Sequence, residues 1–157
     1  MKSLVAFYSR TGNTRIVAEA LAGALGADIE AIVSDTQGKG MSQLVLQTLL
    51  RTRARIAPPK NDASLYDLVV VGTPVWARNM SGPVRTYLEQ NKNKFKSVAF
   101  FCTYGGSGSE KALKTMEKLC GSPAAGKLDI LEGDVKSTEY AADVKRFAAK
   151  ILESQHG

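Results

Sequence analysis

Three short stretches of this chain hold the residue types that bind phosphate groups and planar rings. The first is Ser9, Arg10, Thr11, Gly12, Asn13 and Thr14, three hydroxyls and a glycine at the start of a helical pattern. Free N–H groups at a helix N-terminus favour an anion, because the positive end of the dipole lies behind them, and short hydroxyls add donors around it. Ser, Thr and Asn are also what ordinary helix capping selects, so spacing alone leaves both roles open. The second stretch is Thr73, Pro74, Val75, Trp76, Ala77, Arg78 and Asn79, followed by Met80, and it contains the only Trp of the chain. A Trp in a polar connection after a buried strand points to an exposed flat surface for stacking, the alternative being a plug folded over the sheet edge. The third is Thr103, Tyr104, Gly105, Gly106, Ser107 and Gly108. Its glycines leave backbone amides open to the polar edge of a planar ligand, with Tyr104 as another aromatic wall; a plain flexible turn has the same composition.

Other chemistries find no residues to perform them. The chain has neither a GxxxxGK[ST] phosphate loop nor a GxGxxG fingerprint. Its single histidine, His156, stands next to the last residue, which removes most histidine acid–base and metal chemistry. Cys102 and Cys120 are too far apart for a CxxC pair and are expected to be reduced, buried thiols. A receiver domain needs an acidic pair after the first strand and an aspartate after the third, where this chain has Ser9-Arg10 and Gly72-Thr73-Pro74. A cysteine phosphatase needs C-x5-R, and the residue six places after Cys102 is Gly108. No side chain is a convincing general acid or base.

The elements that must position the three stretches are legible from hydrophobic period. Residues 3–8 form a short apolar run, and Ile16, Val17, Ala20, Leu21, Ala24 and Leu25 then recur at helical spacing up to Gly26, placed as a C-terminal cap. The pattern repeats: a strand over residues 28–33, a helix over about 41–53, a strand over 65–72, and a helix started by Pro83 with Val84, Tyr87 and Leu88 on one face. Residues 98–102 read as a fourth strand, followed by the stripe Ala112, Leu113, Met116, Leu119 and Cys120. Residues 128–135 read as a fifth, followed by a last helix built on Ala141, Val144, Phe147, Ala148 and Ile151. Strands alternating with helices, the middle strands apolar throughout, specify an α/β fold with a five-stranded parallel sheet covered on both faces. In such a sheet ligands bind beyond the C-terminal strand ends, where the three stretches fall.

A length of 157 residues fits one domain spanning 1–157, and 44% hydrophobic with 23% charged residues is an ordinary globular mix. Twenty-one Lys plus Arg against fifteen Asp plus Glu leave a net charge of +6, which makes nucleic acid, anionic lipid or an acidic partner the first candidates. The densest cationic run, Arg51, Arg53 and Arg55 with Lys60 beyond, has no recognition motif and no interleaved aromatics, so nucleic acid is not the expected partner. No stretch approaches the roughly 20 apolar residues of a membrane span, and the cytoplasm is the expected compartment, with no membrane partner.

Taken with their spacing, the three stretches resemble a known family. Residues 9–14 resemble the flavodoxin phosphate loop, S/T-x-T-G-x-T; residues 72–88 look like the second flavin-binding loop of short flavodoxin-like proteins; the glycine-rich stretch is at the matching third place. The resemblance covers essentially the whole chain. It implies a flavodoxin-like three-layer sandwich with strand order 2-1-3-4-5, of which flavodoxin is itself the type example, and FMN bound at the switch point. Residues 9–14 would hold the FMN phosphate, residues 73–79 would lie along the ring with Trp76 stacking on it, and residues 103–108 would bond its polar edge. The connection between the fifth strand and the last helix is too short for the extra loop of long-chain members. The family implies an FMN electron carrier, or else an FMN oxidoreductase reducing a small acceptor such as a quinone.

Two departures, a third stretch with Tyr104 as its only aromatic and no acid before Glu110, and a basic overall charge, separate this chain from typical carriers. Those are strongly acidic around the flavin, whereas this chain is basic and has Arg78 within the second stretch, so its redox partner or small acceptor is expected to be anionic. A cation about 6 Å from the flavin, at an effective dielectric near 20, would favour an anionic reduced form by about 3 kcal/mol before screening.

Overall fold

Strands form where apolar residues run unbroken, because a strand flanked by neighbours and covered by helices on both faces meets no water. The computed structural model describes residues 1–36, 38–50 and 53–157. In chain order these form β1 (Ser3–Phe7), α1 (Asn13–Leu25), β2 (Asp28–Ala31), α2 (Met41–Leu49), β3 (Leu68–Trp76) and β4 (Asn79–Met80). There follow α3 (Gly82–Asn91), β5 (Val98–Tyr104), α4 (Ser109–Cys120), β6 (Lys127–Leu131), α5 (Glu132–Ser137) and α6 (Tyr140–His156). Single-turn 3-10 helices occupy Ala63–Leu65 and Lys92–Lys94.

The parallel strands lie in the order β2-β1-β3-β5-β6, which is the expected 2-1-3-4-5 once the short β4, antiparallel to the end of β3, is set aside. Register is continuous across the middle, with Ala6 beside Val71 and Val71 beside Phe100. Two cores follow from the period-2 alternation of the strands. Leu4, Ala6, Val69, Val71 and Phe100 meet α2, α3 and α4, whose buried residues include Leu44, Tyr87, Leu88 and Met116. Val5, Phe7, Val70, Ala99 and Phe101 meet α1, α5 and α6 through residues such as Val17, Leu21, Phe147 and Ile151. Parallel packing on both faces leaves the strand ends, rather than a sheet face, as the place for a ligand. Among the described residues no helix is long and apolar enough to cross a membrane.

Several boundaries differ from the sequence reading: the second strand ends at Ala31 rather than 33, and the third begins at Leu68 rather than 65, since Ala63–Leu65 is a 3-10 turn. The fifth parallel strand stops at Leu131 rather than 135, and α5 begins at Glu132. Glu132 and Asp134 then stand in the first turn of a helix, where carboxylates are favoured by the dipole, and only Val135 is buried. The third strand runs four residues past Gly72, because Thr73 and Pro74 still pair with Cys102 and Thr103 and the chain then folds back as a hairpin. The helix after Gly40 closes at Leu49 instead of continuing to 53, and Arg51 lies outside the described residues. Both thiols are free, as expected, although Cys120 is only half-buried. Burial pushes Cys102 up to about 12 and Cys120 up to about 11, so neither is a thiolate nucleophile at neutral pH.

Candidate functional site

All three sequence stretches converge at the C-terminal ends of β1, β3 and β5, and contacts made by them or by the adjoining Tyr8 link them. Thr14 and Thr103 share a buried hydroxyl–hydroxyl hydrogen bond of 2.7 Å, tying the first loop to the third. Arg78 and Gly108 press together, tying the second to the third. The rings of Tyr8 and Trp76 meet edge to face at 5.7 Å, tying the first to the second. Tyr8 is in turn held by a 2.7 Å hydrogen bond between its hydroxyl and that of Thr36.

The first loop opens α1 without a side-chain cap. Gly12 is the N-cap, at φ 101, a conformation in which an L side chain is strained, and no side chain bonds to the helix start. The capping alternative therefore does not account for the hydroxyls. Ser9 Oγ accepts the N–H of Gly12 at 3.1 Å, one residue before the helix, and Thr14 points inward to Thr103. The first helical hydrogen bond recorded at this end is from Ile16 N–H to Gly12 O, so the amides of Asn13, Thr14 and Arg15 precede any intrahelical acceptor. Thr11 is exposed beside them, and no acidic residue stands in the first turn. Arg10 is exposed and donates to Lys39 O at 3.0 Å. A cavity of about 660 Å³ lies against this loop, walled by Ser9, Arg10, Thr11, Arg15, Thr36 and Lys39. Amides, a free hydroxyl and the cations Arg10, Arg15 and Lys39, with Arg15 4.0 Å from Glu19 and Lys39 3.9 Å from Asp35, give this end the donors that an anion needs.

The second loop is a tight hairpin rather than an open connection. Val75 pairs with Met80 and Trp76 with Asn79, leaving a two-residue turn of Ala77 and Arg78, both at positive φ (49° and 61°). Positive φ at both central positions is the geometry that matches strand twist in two-residue hairpins, and residues other than glycine adopt it at a cost of about 1–2 kcal/mol each. Thr73 secures the base: its buried hydroxyl accepts the N–H of Ser81 at 3.0 Å and sits 2.8 Å from Pro74 O and 3.1 Å from the Ser81 hydroxyl. Asn79 Oδ1 accepts the N–H of Met80 at 2.8 Å.

Trp76 corrects an expectation. Instead of offering an exposed ring it is 7% exposed and belongs to the core beneath α2, α3 and α4. At the hairpin end of β3 the ring leaves the regular alternation of the strand and packs edge to face on Tyr8 within that layer. The packing-plug alternative describes it better than the stacking surface. Thr73 and Pro74 are likewise buried, so the exposed parts of this loop are Arg78 and, in part, Val75, Ala77 and Asn79.

In the third loop Gly105 and Gly106 are exposed; the space around Gly106 is open, and the Glu132 carboxylate stands beside Gly105. Tyr104 is half-buried, and that burial holds its phenol above the ordinary range and therefore neutral. Gly108 is the N-cap of α4 at φ 93; a Cβ there would lie 2.7 Å from Arg78 Cα. Ser109 donates to Asp129 Oδ2 at 2.8 Å. A second cavity, about 540 Å³, opens between Arg78 and α4. Sequence reasoning missed Tyr8, Thr36 and Ser81. Tyr8 and Ser81 directly flank an apolar run and a Pro-started helix and were within reach of that reading, whereas Thr36 has no local signal.

The arrangement has clear relatives. A family model described as Flavodoxin matches residues 2–147. The crystal structure of a flavoprotein in complex with FMN from Lactobacillus acidophilus NCFM superposes with a TM-score of 0.73 at 23% identity, covering 87% of this chain and 97% of that one. A crystal structure from Bacteroides eggerthii DSM 20697 gives 0.70 at 26% identity over 90% and 98%. Oxidised Flavodoxin 1 of Bacillus cereus gives 0.58 at 16% over 98% of both chains, a likeness of fold alone. The family match begins ahead of β1 and ends within α6, reaching every strand and helix that builds the site, and the chain belongs to the flavodoxin family.

Proposed function

We propose that this protein binds FMN non-covalently and uses it to carry electrons. The observation that carries the reading is the start of α1: an uncapped helix N-terminus, an exposed Thr11 hydroxyl, Ser9 and Thr14 fixed on either side, and no acid in the first turn. That donor set fits a phosphate monoester dianion. FMN supplies reversible electron uptake; the chain supplies binding, orientation and local charge. The cradle from Ser9 to Thr14 would hold the phosphate. The amides of Gly105 and Gly106 are exposed donors for the polar edge of the ring, and Tyr104 stands beside them as a neutral phenol. Ala77, Arg78 and Asn79 would border the ring from the hairpin, while Thr73, Pro74, Val75 and Trp76 hold that hairpin in shape. Thr103 and Gly108 join the third loop to its neighbours. Family membership and the FMN complex of the Lactobacillus flavoprotein support the cofactor.

The test compares FMN with riboflavin, which lacks the phosphate. Fluorescence titration is expected to show FMN bound much more tightly than riboflavin. Thr11→Val, at an exposed position, should weaken FMN by about 10–100-fold, the range for losing a hydrogen bond to a charged group, and leave riboflavin unchanged. Equal affinity for the two flavins, or none for either, would refute the reading. The carrier role is separated from an oxidoreductase role by adding NAD(P)H and a quinone to the FMN-loaded protein: no turnover without an added reductase is expected, and direct turnover would assign the enzyme reading instead.

A further inference from the structure

Seven cations among the described residues form ion pairs with carboxylates. Arg53 meets Glu89 at 3.1 Å, Lys96 meets Asp67 at 3.8 Å, Lys127 meets Glu117 at 2.9 Å and Arg146 meets Asp143 at 3.1 Å. Beside the site cations gather on one cavity. The cavity at the third loop is walled by Arg78, Lys111, Lys114 and Lys118 against one carboxylate, Glu110, and that carboxylate is taken up by Lys114 at 3.0 Å. Among the described residues Arg78, Lys111 and Lys118 form no ion pair.

The placement is also electrostatically unfavourable for an isolated molecule. Lys111 lies in the first turn of α4 and Arg78 lies over its N-cap, both at the positive end of the helix dipole. Lys111, Lys114 and Lys118 are spaced i, i+3 and i+7, which aligns like charges along one exposed stripe about 10 Å long. Lys118 in the last turn is favoured by the dipole; Lys111 and Arg78 are not. The stripe starts at the hairpin tip and runs away from it over a convex helix face. That shape suits a broad surface of opposite charge rather than a small molecule, which would need converging groups. Exposed cations of this kind accelerate encounter and set orientation more than they hold a complex.

We propose that Arg78, Lys111, Lys114 and Lys118 form the docking face for an acidic one-electron carrier protein. The proposal rests on the FMN reading and specifies its partner. In the productive complex one electron leaves the carrier's redox centre, which is oxidised, and enters the bound FMN, which is reduced, with solvent exchanging any proton. The hairpin tip brings the stripe to the edge of the flavin site, so a partner seated on it is delivered to the cofactor.

An acidic plant-type [2Fe–2S] ferredoxin serves as the probe, titrated in its oxidised form into isotope-labelled, FMN-loaded protein at low salt. Amide shifts are expected to cluster at residues 78 and 108–118. Lys111→Glu with Lys118→Glu should weaken binding tenfold or more, as should raising the salt to about 0.2 M, where charges beyond roughly 7 Å are screened. Lys145→Glu with Lys150→Glu, on α6 in the other helix layer, should leave affinity unchanged. Shifts elsewhere, an equal loss in the α6 variant, salt-independent binding, or tighter binding of a DNA duplex to the same residues would overturn the assignment. Repeating the titration without flavin keeps the two readings apart. A chain that rejects FMN yet binds the probe along α4 sinks the cofactor reading alone, and an FMN-loaded chain that ignores the probe sinks this one alone.

Discussion

Helices α1 and α4 are built by the same device and put to different uses. Each follows a central parallel strand, opens at a glycine with positive φ (101° at Gly12, 93° at Gly108), lacks a side-chain cap, and closes on a left-handed glycine, Gly26 or Gly121. Their surroundings differ. Space around Gly12 is open, no acid stands in the first turn of α1, and Thr11 is free beside it. At Gly108 the hairpin tip closes over the backbone and Glu110 occupies the first turn. A positive helix end becomes an anion cradle only where nothing in the protein already covers or neutralises it. One helix start stands open; the other is a wall that positions the neighbouring loop.

The strongest way to break that comparison is to add a methyl group at each start. Gly108→Ala places Cβ at 2.7 Å from Arg78 Cα and 2.8 Å from its Cβ, in addition to the strain of positive φ. Overpacking and the left-handed conformation together should cost about 3 kcal/mol. For a chain of this size that lowers Tm by about 10 °C. Gly12→Ala meets no atom within 4 Å and should cost only the conformational part, about 1–2 kcal/mol. Urea unfolding of the two variants decides it: equal losses would mean that the hairpin does not lean on Gly108.

Next in size is the bond between the start of α1 and the end of β5. Thr14→Val removes one hydroxyl of the buried pair and strands that of Thr103, at an expected cost of about 2 kcal/mol. The double variant Thr14→Val with Thr103→Val should recover part of this, because no polar group is then left unpaired. Simple additivity of the two losses would show that the hydroxyls act separately and that the first and third loops are not coupled through them.

How much of this was legible in the sequence divides along the same lines. The parallel sheet and its order were readable because apolar runs such as Val69 to Val71 and Val98 to Phe101 have no polar face to turn outward. The place of the loops was readable because polar and glycine clusters interrupt the apolar runs at the strand ends. Contacts between loops were not. Trp76 was read as exposed because the strand was taken to end at Gly72, whereas pairing with Met80 and Asn79 carries it two residues beyond Pro74, where the ring lies in the core. Nothing local to Gly108 announces that Arg78, thirty positions earlier, leans on it, and the Thr14–Thr103 bond spans 89 positions. Residues 132–135 looked like strand because Leu131 and Val135 bracket them, and only the carboxylates in the first turn favour the helix.

The smallest effect is expected at the far ends of the two helices, where they differ in one charged clasp. α1 closes on backbone bonds alone, Gly26 N–H to Gly23 O and Ala27 N–H to Ala22 O at 2.9 Å. Beyond α4 the Glu117 carboxylate accepts the N–H of Ala124 at 2.7 Å and Lys127 Nζ at 2.9 Å. Chiefly through the Ala124 bond, and secondarily through Lys127, the Glu117 carboxyl is held below the usual glutamate range. A depressed folded-state value means that the clasp stabilises the native chain above the unfolded glutamate pKa and is lost as pH falls through the lower native one. Hydrogen exchange of Ala124, corrected for intrinsic rates, should therefore lose protection between about pH 5 and pH 3, while Ala27 keeps its own. Because the clasp is largely exposed, Glu117→Gln should cost about 1 kcal/mol or less at pH 7 and make Ala124 as indifferent to acid as Ala27. Protection that falls equally at both helix ends on acidification, or persists at Ala124 in the native chain, would show that the two ends are alike after all and that their difference is confined to the ligand side of the sheet.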